Sequence, residues 1–302
     1  MTGTPLGRIG RLCALARGLE REGGYNGAKL VRAALEGELI RYTEREAPSG
    51  VAVLDALEAL ADDLASGYPA AFVSALREAA AEARRTGGTI TLATAPRVHT
   101  CRVCGELFLG ESLPAACPTC EAPALSFREQ LPVWYLEHAE PGTILAELAT
   151  GPHRVAAALG GRSDEALDRE PAPGQWSARR TLEHLLFAEE LLAERIPRLL
   201  TEDEPDLVAR AVWTETPPSD EGSASTGEPA SVIAERLRTL REATVERLRG
   251  LDDAGWARAG HHPEWGRVTV LSQAAYFVRH EAAHLAQLAA AADGRTPGRR
   301  PG

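Results

Sequence analysis

Apolar residues recur at three- and four-residue steps along most of the 302-residue chain, the period of an amphipathic helix. In YNGAKLVRAALEGELIRYTER, Leu30, Val31, Leu35, Leu39 and Ile40 fall on one helical face. The stretches GVAVLDALEALADDLAS and PAAFVSALREAAAEARR repeat the pattern, with Gly50 and Gly67-Tyr68-Pro69 as breaks. Residues 1–90 are therefore expected to be helical throughout. The run GTITLATAPRVHT reads as β-like and leads into a cysteine-rich stretch at 101–120. EQLPVWYLEHAEPG then links it to a second helical region.

From Pro141 onward the pattern predicts four helices. The first covers 142–159 and stops at Gly160-Gly161. The second follows PAPGQWSARR, with Ser177 as its N-cap, and runs to residue 200. The third covers 229–250 and the fourth 268–292. TEDEPDLVARAVWTETPPSDEGSASTGEP, between the second and third, is rich in Pro, Ser, Gly and acid and reads as a long crossing loop. The expected fold is mainly α, in four parts: a helical segment (1–90), a cysteine module (91–130), a four-helix bundle (141–292) and a disordered tail (293–302).

Composition narrows the function. Apolar residues make up 44% and charged residues 25%, an ordinary globular balance. The formal charge of -10 disfavours a phosphate backbone as partner, so no nucleic acid is expected. The N-terminal MTGTPLGRIGRLCALARGLE lacks the apolar core of a signal peptide, and no apolar run is long enough to span a bilayer. A cytoplasmic location without membrane association is expected. A homodimer paired through a helix face is also expected.

Four of the five cysteines form CRVCGELFLGESLPAACPTC, two C-x-x-C pairs twelve residues apart. In a reducing compartment such pairs bind metal, and Cys101, Cys104, Cys117 and Cys120 make a tetrathiolate suited to Zn²⁺ or a single Fe. Gly105 supplies the backbone freedom a knuckle needs. The stretch CRVCG…CPTCEAPALSF resembles the rubredoxin-like module of rubrerythrins, whose four ligands these cysteines match. Glu121 departs from that resemblance, standing where the second knuckle usually has glycine, so strain is expected there. A structural staple and a redox-active iron remain two readings of the same ligand set. A rubrerythrin di-iron site needs Glu-x-x-His pairs, and no histidine precedes His99. Glu36, Glu38, Glu78 and Glu82 then read as solvated helix faces, and Cys13 as a small buried residue.

YFVRHEAAHLAQL spells H-E-x-x-H, yet a zinc-protease reading fails. Those enzymes take a third ligand downstream, where this chain offers only Asp293. Instead Gln273, Tyr276 or Phe277, His280, His284 and Gln287 share one stripe beside the apolar arc of Leu271, Ala274, Val278, Leu285 and Leu288. His184, in WSARRTLEHLLFAEELL, falls within the apolar arc of the second helix and points into the bundle. One histidine there and two at i, i+4 on the last helix give three ligands with open coordination positions.

PAPGQWSARRTLEHLLFAEELL with HHPEWGRVTVLSQAAYFVRHEAAHLAQL resembles the DinB-like family over residues 142–292. The resemblance implies a four-helix bundle whose His184, His280 and His284 hold a divalent cation: Zn, Ni, Fe or Mn. It implies a metal-dependent thiol S-transferase or related thiol-dependent enzyme, with a small-molecule thiol and an electrophile as partners. Tyr276, Glu281, Gln287 and His262 are candidate supporting residues, and Glu281 could equally face solvent beside Arg279. Trp176 reads as an anchor for the second helix, and His99, His138 and His153 as surface residues. Two alternatives stand beside the transferase. One is a redox protein with an accessory metal site, the other a non-enzymatic metal-stabilised scaffold.

Overall fold

The computed structural model describes residues 4–47, 51–86, 90–207 and 227–296, in two units that divide between Asp63 and Leu64. In the first unit, Thr4 Oγ1 accepts from Gly7 N at 3.2 Å and starts α1 (Pro5–Arg21), with Pro5 preset for a first turn. Gly23, at φ 77°, reverses the chain into α2 (Tyr25–Glu46), which packs on α1. Helix α3 spans Val51–Asp63. Among the described residues of this unit, the fully buried hydrophobics are Ala16, Ala28 and Ala61. The stripe predicted on α2 is helical but not covered, since Leu30 is 69% and Ile40 56% exposed. Cys13 is exposed rather than buried.

The second unit begins with α4 (Ala70–Thr86). Its Glu82 is not on a solvated face. The carboxylate is buried and accepts from Thr91 N at 3.0 Å and Thr91 Oγ1 at 3.2 Å, tying down the turn that follows. The β-like reading of 88–100 holds only at its end: described residues before Val98 form turns, and β1 is Val98–Cys101. Strands β2 (Leu107–Leu109) and β3 (Phe127–Gln130) flank β1 antiparallel, with Val98 opposite Leu109 and Gln130. His99 is buried, not at the surface, because its side chain shares the inner face of β1 with Cys101.

Four long helices make the bundle: α5 (Pro141–Leu159), α7 (Ala178–Thr201), α8 (Ala230–Leu248) and α10 (Val270–Ala292), with the short α6 (Asp164–Asp168) and α9 (Asp253–Ala257) between them. Helix α7 packs on α8 and α10, and α5 on the same two, closing a ring. Ser177 caps α7 as expected, accepting from Arg180 N at 3.1 Å. Gly160, at φ 58°, ends α5 in the left-handed conformation. Buried Arg179 pins three elements together: it bonds Asp168, the Glu228 carbonyl, and Asp164 at 2.5 Å, while Asp164 accepts from Ala230 N at 2.8 Å and starts α8.

The segment read as a loop before the last helix is a hairpin, β4 (Ala259–His262) with β5 (Gly266–Thr269), turned at Gly266 with φ 71°. Thr269 then caps α10 in a reciprocal box with Ser272 (3.0 and 2.8 Å). The linker after the cysteine module docks on α10, where Arg279 donates to the carbonyls of Tyr135, Glu137 and His138 at 2.8, 2.6 and 3.1 Å. Most of the expected crossing loop, 208–226, and the tail from 297 lie outside the described residues; Asp293 caps α10. Among the described residues no helix is long and apolar enough to cross a membrane.

Candidate metal centres

Each cysteine pair sits on a tight turn closed by the same two bonds. Gly105 N donates to Cys101 O at 2.8 Å, and Cys101 N to Glu106 O at 2.8 Å. In the second knuckle Glu121 N donates to Cys117 O at 2.7 Å, and Cys117 N to Ala122 O at 2.8 Å. The two knuckles are thus near-copies, and both need a left-handed residue at the same place. Gly105 meets this at φ 87°, whereas Glu121 is forced to φ 60°, the strain expected from the sequence.

All four Sγ atoms lie within 4.8 Å of one another. Cys101–Cys120 and Cys104–Cys117 are both 3.7 Å apart, close to the ~3.8 Å edge of a tetrahedron with ~2.3 Å metal–sulfur bonds. Amide donation from Cys104 and then Val103 draws the Cys101 thiol down to about 7. Cys120 receives an amide from Ala122, yet burial and the three neighbouring thiols push it up to about 12. One thiolate is favoured and the next is opposed, which is how a tetrathiolate site behaves before a cation neutralises it.

In the bundle, His184 from α7 meets His280 and His284 from α10, and their ligand nitrogens lie within 4.8 Å of one another. His184 Nε2 and His280 Nε2 are 3.0 Å apart; imidazoles on a tetrahedral cation sit ~3.4 Å apart. Burial, then the neighbouring imidazoles, push His280 down to about 3; burial, His284 and Arg180 push His184 down to about 4. Both rings are neutral at physiological pH and offer lone pairs. His284 Nδ1 bonds Gln287 Oε1 at 2.9 Å, which places its hydrogen there and leaves Nε2 for a ligand. His280 Nδ1 is buried without a hydrogen-bond partner among the described residues. These residues fit a divalent cation.

Aromatic rings wall the triad. Trp176 is stacked with His284 (6.2 Å between centroids, 9° between planes) and meets His184 edge-on at 5.2 Å, so it borders the site as well as anchoring α7. Tyr276 stacks on His280 at 5.9 Å, and Tyr135 meets both rings. Burial pushes Tyr276 up to about 12, so its hydroxyl keeps its proton. His262 is buried and stacks on Trp265 at 3.9 Å; Trp265 in turn meets Tyr276 at 4.5 Å. His262 is thus two rings removed from the triad, while its neighbour His261 is exposed and pairs with Glu204. His138 and His153 lie at the surface.

Glu281 does not face solvent beside Arg279. It is buried, and its Oε2 accepts from Arg241 Nη2 at 2.8 Å. Arg241 also bonds Glu189 Oε2 through Nε at 2.7 Å and Nη2 at 2.6 Å. Burial opposes the Arg241 charge, and the two carboxylates more than offset it; burial pushes the Glu189 carboxyl up against Arg241's pull. Sequence reasoning missed this cluster. Its signal was present, since Glu189 and Arg241 stand at helical spacing among Leu185, Leu192, Leu237 and Leu248.

The fold and the sites together define a histidine-triad four-helix bundle joined to a cysteine-knuckle module. Known families divide the same way: residues 147–288 match the family model of the DinB superfamily, and residues 99–128 that of the rubredoxin-like domain of rubrerythrin. An uncharacterized Bacillus subtilis (strain 168) protein, YuaE, is 29% identical over 138 residues, covering 43% of this chain and 85% of its own length. YfiT from Bacillus subtilis, described as a probable metal-dependent hydrolase with an unusual four-helix bundle topology, aligns at 22% identity and a TM-score of 0.44, covering 53% of this chain and 89% of its own.

Proposed function

We propose that the bundle is a divalent-metal-dependent enzyme that transfers a small-molecule thiol to an electrophilic small molecule. The carrying observation is the convergence of His184, His280 and His284 from two facing helices. A divalent cation on three imidazoles supplies Lewis acidity at its open positions, where the pKa of a thiol falls into the neutral range. The chain's own residues supply the rest. Gln287 fixes the His284 tautomer. Trp176, Tyr276 and Tyr135 present ring surface to the apolar part of a substrate and exclude water. The four cysteines are read as a metal staple for a module too small to fold by packing alone, holding Zn or Fe.

The test is metal content together with thiol consumption. Wild-type protein loaded with Zn²⁺, Ni²⁺ or Mn²⁺ is expected to consume a small thiol in the presence of an activated haloarene. The His280→Ala variant is expected to lose the bundle metal and the activity while keeping the cysteine-bound metal. Unchanged bundle stoichiometry in that variant, or thiol consumption indifferent to metal, overturns the reading. A red ferric chromophore in the purified protein would favour the redox alternative over the staple.

A further inference from the structure

Two hydrophobic clusters fill the bundle, and every long helix passes from one to the other at the same level. On α5, Ile144 and Leu148 belong to the first and Val155 and Leu159 to the second, with Gly151-Pro152 between. On α7, Leu185 and Leu192 fall on opposite sides of Glu189. On α8, Leu237 and Val245 are separated by Arg241 and Thr244. On α10, Phe277 and Leu288 are separated by the turn that carries His280, Glu281 and His284. The triad is therefore one side of a polar belt whose other side is the Glu189–Arg241–Glu281 cluster.

Within this belt one guanidinium spans three helices. Arg241 of α8 grips Glu189 of α7 at 2.6–2.7 Å and Glu281 of α10 at 2.8 Å, and also donates to the Leu148 carbonyl of α5 at 3.3 Å. All three side chains are at least nine-tenths buried. The fourth helix yields space for them: a Cβ on Gly151 would overlap Glu281 Oε1 and lie 2.8 Å from Arg241 Nη1. A buried ion cluster of this kind adds little net stability over apolar packing, but it fixes register, because displaced partners are left charged and unsolvated. Apolar side chains alone would tolerate sliding.

We propose that the Glu189–Arg241–Glu281 clamp sets the spacing of the two helices that carry the histidine triad, so that these three are positioning residues for the cation. Glu281 follows His280 directly and precedes His284 by three residues, and Glu189 lies five residues after His184. Locking those carboxylates to one rigid planar fork locks α10 against α7 where the imidazoles meet. Metal ligands tolerate errors of only about 0.2 Å, far less than packed helices do. The inference rests on the triad being a cation site.

Calorimetric titration of the metal-free full chain with Zn²⁺ tests it, because the cysteine site is an internal control. Wild type is expected to show two classes of site. Arg241→Met and Glu281→Gln are expected to weaken only the histidine class, by about tenfold or more, with Arg241→Lys recovering part of the loss. Gly151→Ala keeps every charge and is expected to act in the same direction, so the idea stays testable if Arg241→Met does not fold. Unchanged affinities in Glu281→Gln and Gly151→Ala overturn the clamp alone. A wild type with no histidine class overturns the cation site, and the clamp with it. Loss of affinity in step with loss of far-ultraviolet helical signal means a structural role only and also overturns the proposal.

Discussion

His284 Nδ1 and Gln287 Oε1 lie 2.9 Å apart, three residues along the same face of α10. The bond settles which imidazole nitrogen carries hydrogen and which faces His184 and His280. It is a local, one-turn device that adds to the Trp176 ring stacked on His284.

Removing it should therefore affect the cation and not the fold. Gln287→Ala is expected to lower metal affinity at the bundle by about 10–100-fold, with little change in the thermal midpoint of the metal-free protein. Zn²⁺ competition with a chromophoric chelator measures this; equal affinities would show that the amide is idle.

His262 should make the protein acid-sensitive. Burial, then the Arg195 charge, hold its folded-state pKa at about 4, against 6.5 for an unperturbed ring. Between those values the unfolded chain binds the extra proton, so stability is complete above about 6.5 and declines as pH falls toward 4. His262→Gln should make that decline shallower, with buried His184 and His280 supplying the remainder in the metal-free protein. Urea midpoints at pH 7 and pH 5 test it: an equal drop in variant and wild type excludes His262 as the cause.

Glu121 stands at φ 60° where the matching knuckle has Gly105. Glu121→Gly should relieve about 1–2 kcal/mol of left-handed strain, partly offset by the greater freedom of glycine when unfolded. The expected readout is slower loss of cysteine-bound metal to a chelator. Faster loss would mean that the Glu121 side chain contributes more than its backbone costs.

Gly260 brings β4 against the chain after α7: a Cβ there would sit 2.5 Å from the Pro205 carbonyl oxygen and 2.9 Å from Leu199 Cδ2. Gly260→Ala should cost about 1–3 kcal/mol by overpacking and loosen the hairpin that seats His262 and Trp265. Denaturant unfolding measures the loss, and a variant as stable as wild type would show that this strand moves freely.

Much of this architecture was readable before folding. The helices of the bundle, the Ser177 cap, the cysteine ligand set, the His280–His284 pair and the strain at Glu121 rest on near-neighbour rules: periodicity, capping, knuckle spacing. Joining His184 to that pair, 96 positions away, drew on the family resemblance. The β4–β5 hairpin was not readable, because GHHPEWGRVT has no strong alternation and its pairing is secured from outside, by Asp206 bridging to His261. His99 and Cys13 were misplaced for a related reason. Burial depends on which neighbour covers a face, and the chain does not state that locally.

Sequence by itself determined which residues could ligate, since cysteine and histidine spacing fixes which donors share a turn or a helix face. Only the tertiary structure decided which carboxylates matter. The leucines around Glu189 and Arg241 mark both as inward-facing, but no local pattern says that Arg241, from a third helix, meets Glu189 and Glu281 together in a place water does not reach. A charge declares its role by what surrounds it, and those surroundings are assembled from residues 40 and 52 positions away.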